Sequence, residues 1–504
     1  MKYTNEDINL ENGIQKEWII TNGIGGFASS TIIGANTRKY HGLLIAPLTP
    51  PARRYLILSK VDESIEIGGK QYNLYTNIGK NYITKGYEYQ TSFEKGEIPT
   101  LKYKISDVEI TKQICMKYGE NTVGILYKIK NGKQPTKLTL APLMNFRDFH
   151  SMSTNHEFKI RQENKGTKLK VIIDNMIQNP IYIKVSEGIY IPHNNDIFRN
   201  MFYIEEQKRG FYPEENHAVV GRYEIEIKPN EEKEISFVCS LEENIDELDV
   251  KKLIIKEKQR ISKILEKTEI DFSEKQDKTE DEEKRQELIK NLVISADTFI
   301  AYRPSFRLHT IIAGYPWFLD WGRDSLISFE GLLLKTKRYD IAKEVLKTMM
   351  RDIKYGLVPN GYSGFDNRPL YNSVDASLLL FEQIQKYLEY TKDQEFIKEI
   401  FEKLEIIIEN YKKGIDIDNN NIYLDTDHLI VSGTENTQNT WMDAKVDGVA
   451  VTPRNGKAVE INSMWYNSLK IMENICKELR RKQKSKKICR TSKTNKKFFW
   501  RQIL

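Results

Sequence analysis

Residues 315–324 read Tyr315-Pro-Trp-Phe-Leu-Asp-Trp-Gly-Arg-Asp324, and an apolar run, Leu326 to Leu334, follows almost at once. Ten positions therefore hold two Trp, one Tyr, one Arg and two Asp. Aromatic rings cover the apolar C–H face of a sugar, while planar guanidinium and carboxylate groups pair with its hydroxyls. Plainer readings stand beside this one. Asp324 also suits a first-turn acid facing the helix dipole, and Trp317 also suits a core.

Outward from this stretch the chain differs on its two sides. After Glu287 the apolar spacing is helical, with helices expected over about 284–301, 322–336, 338–355, 371–392, 394–413 and 460–480. Long polar loops, 357–370 and 414–459, lie between them. Loops of that length within a helical domain usually carry function. Residues 1–240 instead alternate with period two, as in Leu101-Tyr103-Ile105, Val123-Ile125-Tyr127-Ile129 and Tyr223-Ile225-Ile227. Strands this numerous predict a large antiparallel β-sandwich. Between the halves, Leu248, Ile255, Ile261 and Ile264 recur at helical spacing, and DFSEKQDKTEDEEKRQ, residues 271–286, reads as a solvated linker or helix face.

Other stretches carry possible chemistry. In Asn439-Thr-Trp-Met-Asp-Ala444 a carboxyl sits beside a Trp. Apolar contact disfavours the charged form and suits a general acid, though Asp443 also fits a turn or helix cap. In Pro369-Leu-Tyr-Asn-Ser-Val-Asp375, Asn372 and Asp375 fit N-capping of the helix that follows. The same plain reading covers Glu460, Asn462 and Trp465. Asn22-Gly-Ile-Gly-Gly-Phe-Ala-Ser29 mimics a dinucleotide fingerprint. A true site needs a helix next and an acid about 20 residues on. Neither follows, so the glycines are expected to make turns.

The bulk numbers are those of an ordinary globular protein. The 504 residues are 39% hydrophobic and 29% charged, enough for two or three domains of roughly 100–200 residues. No run approaches the roughly 18 uncharged apolar residues of a membrane span, and the N-terminus lacks the apolar core of a signal peptide. Four scattered cysteines form no CxxC, which points to a reducing, cytoplasmic setting. No HxH, HExxH or Cys/His cluster, Walker loop or GxSxG occurs, so neither metal nor organic cofactor is expected. Net charge is +6, but Arg480 to Arg501 alone hold eleven Lys/Arg and no acid; without them the body stands at −5. That excludes a nucleic-acid surface on the body.

Taken together, NGIGGFASSTIIGANTRKYHGLLIAPLTPPARR (22–54), AGYPWFLDWGRDSLIS (313–328), YNSVDAS (371–377), NTWMDAKVDG (439–448) and VTPRNGKAVEINSMWYNSLK (451–470) resemble, in order, the bacterial and archaeal glycogen debranching enzymes. The resemblance implies a β-sandwich followed by an (α/α)6 barrel of twelve helices, related to the glucoamylases. Trp321, Arg323 and Asp324 match a W-x-R-D motif that holds the departing glucose. Asp443 matches the general acid of a T-W-M-D motif. Asp320, Asn372, Asp375, Trp441 and Glu460 are taken as further sugar contacts. The implied reaction is inverting hydrolysis of α-1,6-linked glucose on glycogen, limit dextrin or another branched α-glucan. It needs a second carboxylate about 6.5–9.5 Å from the acid and no cofactor. Competing readings are a related α-glucosidase of the glucoamylase type and a non-catalytic glucan-binding remnant.

The expected organisation is a sandwich over 1–245, a charged helical linker over 246–285, a partial barrel over 286–479 and an aberrant basic tail over 480–504. Six helices are half of twelve, and the family's general base, a Glu near the end of its barrel, has no match. A frameshift near Arg480 accounts for both, and reading the downstream DNA in the other two frames tests it. Uncovered apolar faces then predict a poorly soluble or largely inactive chain, which clean monomeric behaviour with debranching activity refutes.

Overall fold

The computed structural model describes residues 2–4, 6–154, 157–173, 179–268, 279–364, 366–417, 419–481, 483–485, 488 and 491–496. The chain divides into two compact units, Met1–Glu266 and Lys267–Leu504.

Period-two alternation builds the first unit. In Pro99–Ile105, Leu101, Tyr103 and Ile105 are buried while Lys102 and Lys104 are exposed. A nine-stranded sheet runs in the order Lys2–Thr4, Gln90–Lys95, Pro99–Ile105, Val108–Met116, Thr122–Lys130, Glu232–Ser240, Ile181–Val185, Lys168–Ile173, Ile160–Lys165. An eight-stranded sheet runs Ile189–Phe202, Glu214–Ile227, Thr136–Asp148, Ala52–Ile67, Gly42–Thr49, Phe27–Thr31, Glu17–Thr21, with Lys70–Asn73 also paired to Ala52–Ile67. Neighbouring strands are antiparallel. Leu44, Ile57 and Val61 of one sheet and Tyr103, Ile125 and Phe237 of the other share one core, as an antiparallel sandwich requires.

The buried lysines and acids at the centre of this sandwich are paired, because an unpaired buried charge is costly. Lys112 Nζ lies 2.5 Å from Glu63, which also accepts from the Tyr127 hydroxyl at 2.7 Å. Lys60 donates to Asn77 Oδ1 at 2.6 Å and lies 3.4 Å from Asp62. The glycine stretch is a turn, as expected. Asn22 Oδ1 accepts from the N–H groups of Ile24 and Gly26 at 3.2 and 2.8 Å, and Gly23 and Gly25 have φ of 71° and 95°. A strand, Phe27–Thr31, follows it rather than the helix a dinucleotide needs.

The stretch expected as a linker, 246–285, contains helix α1, Val250–Lys267. It is a packed element: Val250, Leu253 and Ile254 join Ile98, Cys115, Leu126, Tyr182 and Val238 in a second apolar cluster. Gly124 permits the approach, since a Cβ there would stand 3.0 Å from both Val250 methyls. The described cysteines, Cys115, Cys239 and Cys476, are free and buried. Burial pushes the thiols of Cys115 and Cys239 well up.

The second unit is helical: α2 Glu280–Thr298, α3 Gly322–Phe329, α4 Tyr339–Arg351, α5 Ala376–Thr391, α6 Gln394–Lys413 and α7 Val459–Glu478. A π turn, Glu330–Leu334, extends α3, and a hairpin of Ile300–Arg303 with Leu308–Ile311 precedes it. Each expected helix has a counterpart, with shifted ends. The α2 helix begins earlier because Thr279 and Glu282 form a capping box. The α5 helix begins at 376 rather than 371, because the Val374 N–H goes to Asn439 O at 2.8 Å and the Ser373 hydroxyl takes the Ala376 N–H at 3.1 Å. One apolar cluster joins α3 to α7, with Trp465 stacked on Tyr411 at 5.9 Å between centroids. The described parts of 480–504 include helical turns at 483–485 and 491–496, and Ile488 is buried in that cluster. No described helix is long and apolar enough to cross a membrane.

One ion cluster of the sandwich sets an acid limit. Burial pushes Glu17 up, but His41 and Arg38 (Nε–Oε1 2.7 Å) outweigh it and hold its pKa at about 2, below the ordinary 4.5. Because the folded value lies below the unfolded one, this stabilisation is present above pH 4.5 and disappears as pH falls toward about 2. Urea midpoints of the parent should therefore drop more steeply across that window than those of Glu17→Gln; parallel curves would contradict the assignment.

Candidate active site

The site forms where the N-terminus of α3 docks on the 357–370 loop. Gly322 is required by this docking, since a Cβ would stand 2.6 Å from Pro359 O. The Gly322 N–H donates to Asn360 O at 2.8 Å, and Trp321 and Gly361 form an isolated β-bridge. The extended backbone at Trp321 then turns into the helix.

That docking buries the Arg323 guanidinium, which gathers the other segments. Its Nε donates to Asp375 Oδ2 at 2.7 Å, Nη1 to Asp443 Oδ2 at 2.9 Å and Nη2 to Thr440 O at 2.9 Å. The start of α5 and the 414–459 loop are thereby joined to the start of α3. Burial disfavours the Arg323 charge, but its hydrogen bonds to Asp375 and Asp443 and their negative charges outweigh it, so its pKa is raised. Asp375 is enclosed, with Ser373 Oγ on its second oxygen at 2.5 Å. It caps no helix N–H with its side chain. Asp443 remains 43% exposed at its side chain, and its Oδ1 has no hydrogen bond among the described residues.

Asp324 lies beside this cluster and is open to solvent on one side. Loss of water around its carboxyl raises its pKa, and the charges of Asp443 and Asp375 add to the effect. Trp441, Phe318 and Trp317 are exposed. The Arg454 guanidinium stands 5.7 Å from the Trp441 ring centre, and Glu460 holds it through Nη2 at 2.5 and 2.6 Å.

The expected sugar contacts thus fall into four places. Arg323, Asp375 and Asp443 meet directly. Trp441 and Glu460 are linked through Arg454, and Glu460 spends both oxygens on that arginine. Asp320 is inside the wall: Arg303 Nε lies 3.2 Å from Oδ2, which also accepts from Thr310 at 3.0 Å, while Arg303 Nη2 reaches Oδ1 at 3.4 Å. Arg303 is itself held between Phe306 and Tyr362, at 4.4 and 4.7 Å. Asn372 is exposed and makes no side-chain hydrogen bond among the described residues.

Sequence reasoning missed Thr440, Ser373, Asn360 and Arg454 as site builders. Only Arg454 left a usable signal, an Arg six positions before Glu460. Thr440 and Asn360 act largely through backbone groups, which side-chain identity does not reveal.

Two family descriptions match the chain side by side. Residues 16–234 match "Glycogen debranching enzyme N terminal", and residues 294–502 match "Amylo-alpha-1,6-glucosidase". The chain is debranching-enzyme-like. The glycogen debranching enzyme of Saccharomyces cerevisiae is 26% identical to it, over 34% of this chain and 15% of that one. A protein assigned as a kojibiose phosphorylase from the human microbiome shares the fold at TM-score 0.50 and 11% identity, over 97% of this chain and 63% of that one. A bacterial glucoamylase complexed with acarbose gives TM-score 0.48 at 12% identity, over 96% and 65%. The chain therefore spans 15% of its curated relative's length and less than two thirds of each solved neighbour.

Two substitutions probe the cluster. Arg323→Ala leaves Asp375 buried without its cation and should cost about 3–5 kcal/mol in urea unfolding; an unchanged midpoint would show that Arg323 does not organise the site. Asp324 behaves oppositely. Its folded pKa lies above 3.8, so it is best tolerated below that pH and its charge opposes folding once pH rises through the folded value. Asp324→Asn should be more stable than the parent at neutral pH, with the advantage vanishing below about pH 4.

Proposed function

We propose that this chain carries the sugar-holding and proton-donor part of a site that hydrolyses, with inversion, the α-1,6-linked glucose left at branch points of glycogen, limit dextrin or another branched α-glucan, and that its own turnover is low without a general base. The convergence of Asp375 and Asp443 on Arg323, from positions 52 and 120 residues away, supports this reading most directly. Asp443 is the proton donor. Its Oδ2 is anchored by Arg323, while its exposed Oδ1 is free to reach a glycosidic oxygen. Trp321, Arg323 and Asp324 hold the departing glucose. The Asp324 carboxylate can accept hydrogen bonds from sugar hydroxyls. Trp441 and Phe318 offer ring faces to the rest of the glucan.

In this reading the six helices are part of an (α/α)6 barrel, and the 357–370 and 414–459 loops form the rim that holds sugar. Inversion also requires a carboxylate about 6.5–9.5 Å from the acid to activate water; none of the residues above is assigned to it. No cofactor takes part. The setting is the cytoplasm, where buried free thiols persist.

Glucose release from branched limit dextrin and from linear maltooligosaccharides tests the substrate. Release from limit dextrin alone supports the reading; faster release from linear chains shifts it to an α-1,4 exo-glucosidase. Binding on glucan affinity gels with no release leaves a binding protein. If turnover occurs, Asp443→Asn should lower kcat by about 10²–10⁴-fold with little change in binding. Full turnover in that variant removes Asp443 from the acid role.

A further inference from the structure

An open polar cavity lies on the sandwich unit, beside a segment braced by the glycine-rich stretch for which the reaction has no use. Gly23 faces the ring of Tyr118, and a Cβ there would stand 2.4 Å from it. The Asn22 side chain donates to Glu120 O at 3.0 Å, and the Gly119 N–H donates to Asn22 O at 2.7 Å. This turn therefore fixes the 117–120 segment from behind. In front of it, between Tyr118 and the first turns of α1, is a cavity of about 430 Å³. That is the size of a small-molecule site.

Its lining is polar and nearly balanced in charge, with four cationic and three carboxylate side chains. Several are already committed. Arg260 stacks over Tyr118 at 4.2 Å and donates to Glu257 at 2.8 and 2.9 Å, and Lys252 lies 3.8 Å from Asp249. Asn244, Glu247 and Lys256 line the same space without a hydrogen bond or ion pair to another described residue. Together they offer an amide, an acceptor and a donor. Leu248 and Leu253 add apolar surface.

This chemistry selects its ligand. A small anion meets three carboxylates and a small cation meets four positive groups, so neither gains a net field. A neutral polyol gains from both signs, because each hydroxyl can donate to a carboxylate and accept from an ammonium. Its C–H faces then rest on leucine.

We propose that this cavity is a second glucan-holding site, separate from the Arg323 cluster, which grips a short stretch of a neutral α-glucan chain. Its ligand class rests on the glucan reading of the active site. Its role is retention on a polymer rather than chemistry, so it matters for glycogen and not for a short branched oligosaccharide.

The full chain, Glu247→Ala/Lys256→Ala and Trp441→Ala are compared by electrophoresis through glycogen gels, with urea midpoints verifying that each variant is folded. Losing two hydrogen-bonding groups should weaken glycogen retention about five- to tenfold. Glucose release from a short branched oligosaccharide should stay within about twofold for the cavity variant, since it touches no catalytic group. Parental retention in that double variant overturns the proposal. So does stabilisation of the parent, lost in the variant, by inorganic phosphate instead of maltoheptaose. If the parent releases no glucose yet the cavity variant alone loses retention, the active-site reading fails and the second site stands.

Discussion

The Arg323 guanidinium is the constraint on which the helical unit's chemistry depends. Two peptide segments far from it in sequence, one at Asp375 and one at Thr440 and Asp443, are held by one planar group through three different nitrogens. Lysine cannot replace this geometry, because its single ammonium offers donors from one point rather than along a fork. Burial makes the arrangement strict. A guanidinium this enclosed needs acceptors, and Asp375 and Asp443 need a cation, so each group specifies the place of the others. The two carboxylates nevertheless differ in freedom. Asp375 is locked on both oxygens, whereas Asp443 keeps one oxygen toward solvent. The same hub thus produces one enclosed carboxylate and one partly exposed carboxylate.

Around the hub the protein separates load from contact. Asp320 lies only three positions from Arg323 but turns into the wall, where Arg303 and Thr310 occupy it. Arg303 in turn fills the space between Phe306 and Tyr362, which ties the 300–311 hairpin to the 357–370 loop. On the opposite side, Glu460 reaches Trp441 only through Arg454. Acids close together in sequence therefore divide into those that stay open to solvent and those that brace neighbouring side chains.

Much of this fold was legible in the residues. Leu101, Tyr103 and Ile105 alternate with lysines because one face of their strand is core, and the pattern requires no knowledge of neighbours. The helices were equally readable from apolar spacing. What escaped was set at long range. Residues 371–375 look helical, yet Val374 pairs with Asn439, which lies far along the chain. Lys60, Asp62 and Glu63 look like surface residues, yet Asn77, Lys112 and Tyr127 cover them. Of the site, Trp321, Arg323 and Asp443 were visible as types suited to sugars. Their contacts were not, since nothing in Asp320 or Asp375 shows which arginine each will meet. The helix over 248–267 was legible, but its packing was not: its lysines and glutamates announce solvent, while Val250, Leu253 and Ile254 cover a sheet face that only the folded strands create.

That packed helix gives one cysteine an unusual position. Cys115 lies beneath α1 among Val250, Leu253 and Ile254, with its thiol enclosed and kept protonated. A thiol in this state is inert to alkylating and oxidising reagents until it is uncovered and ionised. Its reactivity therefore records how often the helix lifts from the sheet, and the chain carries at that position a native gauge of its own local opening.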